Sequence, residues 1–568
     1  MGAHGPWVPQ VWRRVLDPRK IIPRAWAALD ELERLRLPQR AEHQVFTPAR
    51  VAHWLVRAAA PRQGEVCLDP AAGTGRLLLA ALLERVVAGE DPDWLLEHGL
   101  VGIERDPRAA QIAAEVLQMA AQELGGSGRV QARVECADAL AGPLPQAQVV
   151  LMNPPYGNAD QLDGETHQRL AGRFGFHRRQ LDRAAFFIAA GAQALTEGGR
   201  LAAIAPRYWL EATGAAPFRA WLATHSHPRL VLDLGNHQVW HGVEVLTALV
   251  VLDKDLRPAR PMLFGRPADV PGLWRGPAPD TYPIEPQRLQ QDEPWTFQDP
   301  AEERWLAQMS ASTTPLGSWF QIGQGLKSGL NKAFVMPRAQ ALQLGLPQRL
   351  LKPTVKGRDV RMHQLADRAL VLVAALEDDE PTGALLDHLS AHRPALEARY
   401  QARKGKCRWH NLSLPQNTAL MDAPVKILSP LYARQARFAL DRGQHWVSTD
   451  LYMMVPDPQL PVPVEAVVTL LGSAPVWRFI QARSKLKRAG YREFGRRLLS
   501  SLPLPLGPTP ASWPQVAAQA PPGIDGAEPW QALAQCALAL EAAQSPDTKI
   551  TAFIDAAAAC LYGVDAKP

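Results

Sequence analysis

The residues best placed to do chemistry are Asn153-Pro154-Pro155-Tyr156, which follow the apolar run Val149 to Met152. Two consecutive prolines donate no hydrogen bonds to a ladder, so a strand arriving at Met152 must end there. The run has the composition of a buried parallel strand, which places the tetrapeptide in a loop at the strand's C-terminal edge. Ligands bind at that edge in open α/β sheets. The prolines fix φ, so that one amide, one backbone carbonyl and one aromatic ring project in a set arrangement. Such a set suits a flat, amino-bearing substrate.

Three more strand ends carry acids. Residues 64–83 read as a short strand, Val66 to Leu68, ending at Asp69, then a turn with Gly73 and Gly75, then an apolar helix from about Arg76. Glycines at such a bend let a ligand approach the backbone, and a helix N-terminus favours a negative group. The spacing differs from the dinucleotide G-x-G-x-x-G pattern, and no Lys-Ser/Thr follows as in a phosphate-binding loop. Residues 100–106 give a second strand ending in Glu104, with a helix from Pro107 to about Leu124. An acid at that place holds ribose hydroxyls; the plainer alternative is a helix-capping carboxylate. A third unit ends in Asp138. Asp69, Glu104, Asp138 and Asn153 thus converge on one edge of one sheet.

The elements that position them follow from pattern. Residues 11–42 read as helix, and Thr47 and Pro48 as the N-cap and first position of another. Residues 157–181 are polar and read as an irregular loop. Then come a helix, a turn at Gly198-Gly199 and a strand, with two more strands at 229–235 and 245–254. Seven strands alternating with helices, closed by an antiparallel pair, give the expected class: α/β, a doubly wound sheet.

The 568 residues are 47% hydrophobic and 21% charged, the balance of an ordinary soluble protein, and no apolar run is long enough to span a bilayer. With no signal-peptide pattern at the N-terminus, a cytoplasmic location is expected. Five scattered cysteines with no C-x-x-C spacing indicate neither a zinc site nor a disulfide framework, so no metal is expected. Charge is uneven. Residues 1–300 hold 32 Lys and Arg against 34 Asp and Glu, whereas 301–568 hold 30 against 22. Within the latter, 327–500 hold 27 against 14, the footprint of a surface that meets a polyanion. Eight prolines from Pro258 to Pro286 mark a linker.

Taken together, residues 43–254 resemble the class I S-adenosylmethionine-dependent amino-methyltransferases, specifically the γ-type adenine-N6 DNA methyltransferases of type I and type II restriction–modification. NPPY at 153–156 and DPAAGTG at 69–75 carry the resemblance, with FTP at 46–48, GIERDP at 102–107, Ala137-Asp138 and Val239-Trp240 in support. It implies S-adenosyl-L-methionine as cofactor, with Phe46, Thr47, Asp69, Ala71, Gly73 and Gly75 around its methionine end. Glu104 would hold the ribose and Asp138 the adenine amino group. Asn153, which also borders the cofactor, and the Pro154 carbonyl would accept the two hydrogens of the target amine, while Tyr156 and Trp240 stack on the base. Trp240 stands where the family usually has phenylalanine.

The resemblance also implies an α+β target-recognition domain that binds double-stranded DNA. Lys327, Lys332, Lys356, Arg358, Lys485 and Arg488 are expected at its phosphates. The implied domains are a helical leading segment (1–42), the methyltransferase domain (43–256), the Pro-rich linker (257–300), the recognition domain (301–505) and a C-terminal helical segment (506–568). No nuclease segment stands out. The expectation is therefore a monomeric site-specific methyltransferase that modifies without cleaving, with a separate endonuclease or defence-system subunit as partner. Two alternatives stay open: a methyltransferase for RNA or a protein glutamine, and an inactive DNA-binding subunit of the same fold.

Overall fold

Along the strand Ala147–Met152 the side chains alternate between two cores: Val149 and Leu151 join one, Val150 and Met152 the other. A strand covered on both faces belongs inside a helix–sheet–helix sandwich. In the computed structural model the chain divides into two compact units, residues 1–299 and 300–568. The described residues are 18–37, 46–157, 164–176, 181, 183–240, 245–255, 260–274, 280–289, 294–366, 368–376, 380–443, 445–543 and 547–565, with side chains from 23 onward and without that of Arg488.

The first unit begins with α1 (Pro18–Arg36), α2 (Ala49–Ala59), β1 (Cys67–Asp69), α3 (Arg76–Val87), β2 (Leu100–Glu104), α4 (Pro107–Glu123), β3 (Arg133–Cys136) and β4 (Ala147–Met152). It continues with α5 (Gly164–Phe174), α6 (Arg183–Ala194), β5 (Leu195–Pro206), α7 (Ala216–His225), β6 (His227–Asp233), β7 (Thr247–Asp253), β8 (Met262–Gly265) and β9 (Tyr282–Ile284). The strands form one sheet in the order β3-β2-β1-β4-β5-β7-β6-β8-β9. Neighbours from β3 to β5 run parallel, and β7 inserts antiparallel between β5 and β6. All seven expected strands are present. Chain order reverses between β1 and β4, the switch point at which such sheets open a ligand crevice.

Four expectations need correction. The Pro-rich segment 257–300 is not a linker: β8 adds parallel to β6, β9 adds antiparallel to β8, and Met262, Phe264 and Ile284 are buried. Pro283 is tolerated because β9 is the outermost strand. The stretch 157–181 contains α5, whose Leu170, Ala171 and Phe174 are buried; residues 158–163 and 177–180 lie outside the described residues. The turn at Gly198-Gly199 is a bulge inside β5, where pairing with β4 jumps from Ala147–Leu195 to Val149–Arg200. Finally, α2 is capped at Pro48 and not at Thr47, whose hydroxyl is used elsewhere.

The second unit is α+β. A four-stranded antiparallel sheet orders Phe320–Gln324, Leu451–Pro456, Lys426–Pro430 and Ala439–Asp441. A second sheet orders Val335–Pro337, Leu370–Val373, Leu351–Val355 and Trp446–Val447, the last pair parallel. The helices Pro529–Ala542 and Thr548–Tyr562 bury Leu533, Phe553 and Ile554 in the same core as Ile427 and Met454. Among the described residues no helix is long and apolar enough to cross a membrane.

Candidate active site

Cys67 pairs with Val149 and Leu68 with Val150, so the loops leaving β1 and β4 open side by side on one sheet edge. A cavity of about 700 Å³ lies there, within the usual range for small-molecule sites, roughly 300–1,000 Å³. Phe46, Ala71, Gly73, Glu104 and Asp138 line it together with Asn153, Pro154 and Tyr156.

Gly73 has φ +54°, a left-handed conformation that favours glycine, and a Cβ built there would meet nothing within 4 Å. Its N–H donates to Glu104 Oε2 at 2.7 Å, and the Asp106 N–H donates to Oε1 at 2.8 Å. Two backbone donors thus aim the Glu104 carboxylate, leaving acceptor capacity for hydroxyls. Asp138 is exposed, and its Oδ1 takes the Leu140 N–H at 2.9 Å. Open space at Gly73, an anchored acid at the end of the neighbouring strand and a second acid in the loop after the next strand fit a ribonucleoside-bearing cofactor. The apolar walls come from Ile103, Leu140 and Phe187.

Asp69 and Gly75, expected beside the cofactor, lie outside the lining of the cavity, as does Thr47. Asp69 is 1% exposed and accepts the Ala71 N–H at 3.0 Å, which shapes the turn from beneath. Burial pushes its pKa up to about 8; the Ala71 N–H opposes the shift and the Glu104 charge adds to it. A carboxyl whose pKa rises on folding stabilises the fold fully below its unfolded value, and that contribution is lost as pH rises through about 8. Melting scans from pH 5 to 8 are expected to show this decline in the native protein and a flatter profile in Asp69→Asn. At Gly75, φ is +84° and a Cβ would lie 3.0 Å from the Ala113 Cβ, so this glycine seats α3 against α4. Gly75→Ala should destabilise by at least about 1–2 kcal/mol, the cost of left-handed backbone, read from the urea midpoint.

Asn153 Nδ2 donates to Thr47 Oγ1 at 3.0 Å, across 106 residues of chain. Thr47 is buried, and its carbonyl receives Arg76 Nη1 at 3.4 Å. Arg76 in turn is gripped by Glu33 at 2.8 and 2.6 Å, pairs with Asp30, and lies 5.5 Å from the Phe46 ring. Glu33 is 3% exposed and also accepts the Thr74 hydroxyl. A continuous chain of contacts therefore runs from α1 to the amide of Asn153. Asp30 and Glu33, one turn apart on α1, were its legible signal, but their partner lies 43 residues or more away.

Trp240, expected to stack on a base, does not line the cavity. Its Nε1 donates to the Phe46 carbonyl at 2.9 Å, and its ring meets Tyr156 edge-on, centroids 5.6 Å apart at 78°. It braces both walls from behind. Arg183, which pattern reading missed, lines the cavity and donates from Nη2 to the Tyr156 carbonyl at 3.3 Å. Phe187 lies one turn further along α6; only its place in an apolar helix hinted at it.

Of the six basic residues expected at phosphates, Lys327 and Lys356 line one cleft of the second unit. Lys332 and Arg358 are exposed beside them in sequence, and Lys485 is exposed near the paired strands 432–433 and 492–493. Exposed Tyr432 belongs to that pair and exposed Tyr491 directly precedes it, with Arg434 4.7 Å over the Tyr491 ring. The Arg488 side chain lies outside the described residues.

Residues 37–264 match the family model described as N-6 DNA Methylase. Over 447 residues the chain is 22% identical to the Type II methyltransferase M.BanIII of Aneurinibacillus aneurinilyticus, covering 68% of this chain and 75% of that one. A stretch of 129 residues is 28% identical to the Type I restriction enzyme StySPI methylase subunit of Salmonella potsdam, covering 20% of this chain and 24% of that one. Among solved structures, the fold is similar to the Type IIL restriction-modification enzyme MmeI in complex with DNA, with TM-score 0.59, 12% identity, 97% of this chain and 75% of that one covered.

Proposed function

We propose that this chain, whose residues 37–264 match the N-6 DNA Methylase family model, transfers a methyl group from S-adenosyl-L-methionine to N6 of an adenine flipped out of duplex DNA. The observation that carries this reading is the single cavity in which Asn153, Pro154 and Tyr156 stand beside Glu104 and Asp138. The cofactor would supply an activated methylsulfonium. Glu104 would orient its ribose and Asp138 its adenine amino group, with Phe46 at the methionine end.

The adenine amine is a poor nucleophile because its lone pair is delocalised into the ring. Asn153 Oδ1 and the Pro154 carbonyl, accepting one hydrogen each, would favour a pyramidal nitrogen whose lone pair faces the methyl donor. With Nδ2 given to Thr47, the amide presents an acceptor on its other side. Tyr156, braced by Trp240, would stack on the base and offset an unpairing cost of a few kcal/mol. Positioning and electrostatics supply the acceleration, and the reaction needs no metal.

The basic second unit would hold the duplex, with Lys332, Arg358, Lys485 and Arg488 on phosphates. Arg358→Ala is expected to weaken binding to every sequence alike and to lower the slope of log affinity against log salt by about one. On this reading the protein is the modification part of a restriction or phage-defence system, acting in the cytoplasm as a monomer beside a separate nuclease or other subunit. Sequencing that detects modified bases, on DNA from cells with and without the chain, tests it. N6-methyladenine at one recurring sequence is expected; methyl transfer to RNA or to a protein glutamine instead would overturn it.

A further inference from the structure

The cleft of about 360 Å³ in the second unit is assembled from three distant stretches of chain. Strands Leu351–Val355 and Trp446–Val447 run parallel, so Lys356 and Ser448 leave their ends in the same direction. A bridge between Leu326 and Ser448 brings in Lys327. At the mouth stands Asp450, exposed, with Oδ2 accepting the Gly357 N–H at 2.6 Å and Oδ1 the Ser448 hydroxyl at 2.5 Å. Neither bond neutralises the carboxylate, and among the described residues no ion pair involves Asp450, Lys327 or Lys356. Two donors of fixed position hold an acid in place while two ammonium groups share its cleft. A carboxylate is poorly suited to phosphate contact, so a surface built only for the DNA backbone would not place one here.

Donors and an acceptor side by side do match the edge of a base pair. In the major groove, guanine offers the acceptors O6 and N7, which lysine takes, and its paired cytosine offers the N4 amino group, which a carboxylate takes. We propose, resting on the DNA-methylating reading above, that this cleft reads a C·G pair of the recognition sequence, with Asp450 accepting from cytosine N4 and Lys356 donating to guanine. This moves Lys356 from the phosphates to a base edge. Lys327, which lines the same cleft, supports the same guanine or its neighbour.

The test is the methylated sequence itself, mapped by modified-base sequencing of DNA from cells expressing the full chain, the Asp450→Asn variant or the Lys356→Met variant. Asparagine is nearly isosteric, its carbonyl can keep the Gly357 N–H, and its amide can donate to Ser448, so folding should be unaffected. The native motif is expected to contain a C·G pair at which Asp450→Asn lowers discrimination roughly tenfold, with other positions unchanged. Lys356→Met should relax the same position with little change in salt slope; a uniform loss of affinity with a lower slope would mark it as a phosphate contact and overturn its assignment. A native motif lacking any C·G pair, or variants that methylate the native motif with undiminished selectivity, would overturn the proposal while leaving DNA methylation standing. Absence of methylated adenine in all three would sink both readings.

Discussion

Asn153→Ala is expected to lower the rate of methyl transfer about a hundred- to a thousandfold, the usual effect of deleting one preorganised polar contact to the reacting group. The protein should still fold and still bind S-adenosyl-L-methionine, because the Glu104 carboxylate proposed to hold the ribose is aimed by the Gly73 and Asp106 backbone N–H groups. Single-turnover transfer of labelled methyl to duplex DNA measures the first quantity and equilibrium dialysis of cofactor the second. A normal rate would remove Asn153 from the reaction. Loss of cofactor binding as well would make it a structural residue of the donor pocket.

Arg76→Ala should have the largest effect on stability, about 3–5 kcal/mol, because it strands the nearly inaccessible carboxylate of Glu33. Domains of ordinary stability hold roughly 5–15 kcal/mol, so this change alone brings the first unit close to unfolding. Replacing both partners, Glu33→Gln with Arg76→Met, removes the stranded charge and should recover most of the urea midpoint. It does not restore the contact to the Thr47 carbonyl or the cation over Phe46. The double variant is therefore expected to melt near the native midpoint yet show a raised KM for cofactor. That split separates positioning from bulk stability.

These contacts mark where sequence reading succeeds. Strand ends are local events: a double proline stops β4 after Met152, and a left-handed glycine turns the chain after β1, so Asn153, Gly73 and Glu104 could be placed on one edge without coordinates. Roles fixed by partners far along the chain could not. Thr47 has every local mark of a helix cap, but its hydroxyl bonds an amide 106 residues away. Asp69 sits in the right motif, yet the fold covers it and leaves Pro70 and Ala71 at the wall. Gly75 and Gly73 look equivalent in sequence; only the approach of Ala113 distinguishes packing from access. Pro258 to Pro286 resemble a linker because prolines mark both linkers and edge strands, and only burial of Met262 and Phe264 decides between them.

That edge has a practical consequence for anyone exchanging the second unit of this chain for another. A seam at residue 256 would strip away β8 and expose the main-chain donors and acceptors of β6, an invitation to intermolecular strand addition and inclusion bodies. It would also remove Trp295, which is fully enclosed against Trp209 and donates its backbone N–H to the Leu210 carbonyl at 2.7 Å. Chimaeras joined between 299 and 300 keep that closure intact and should express as dispersed protein where the earlier seam does not.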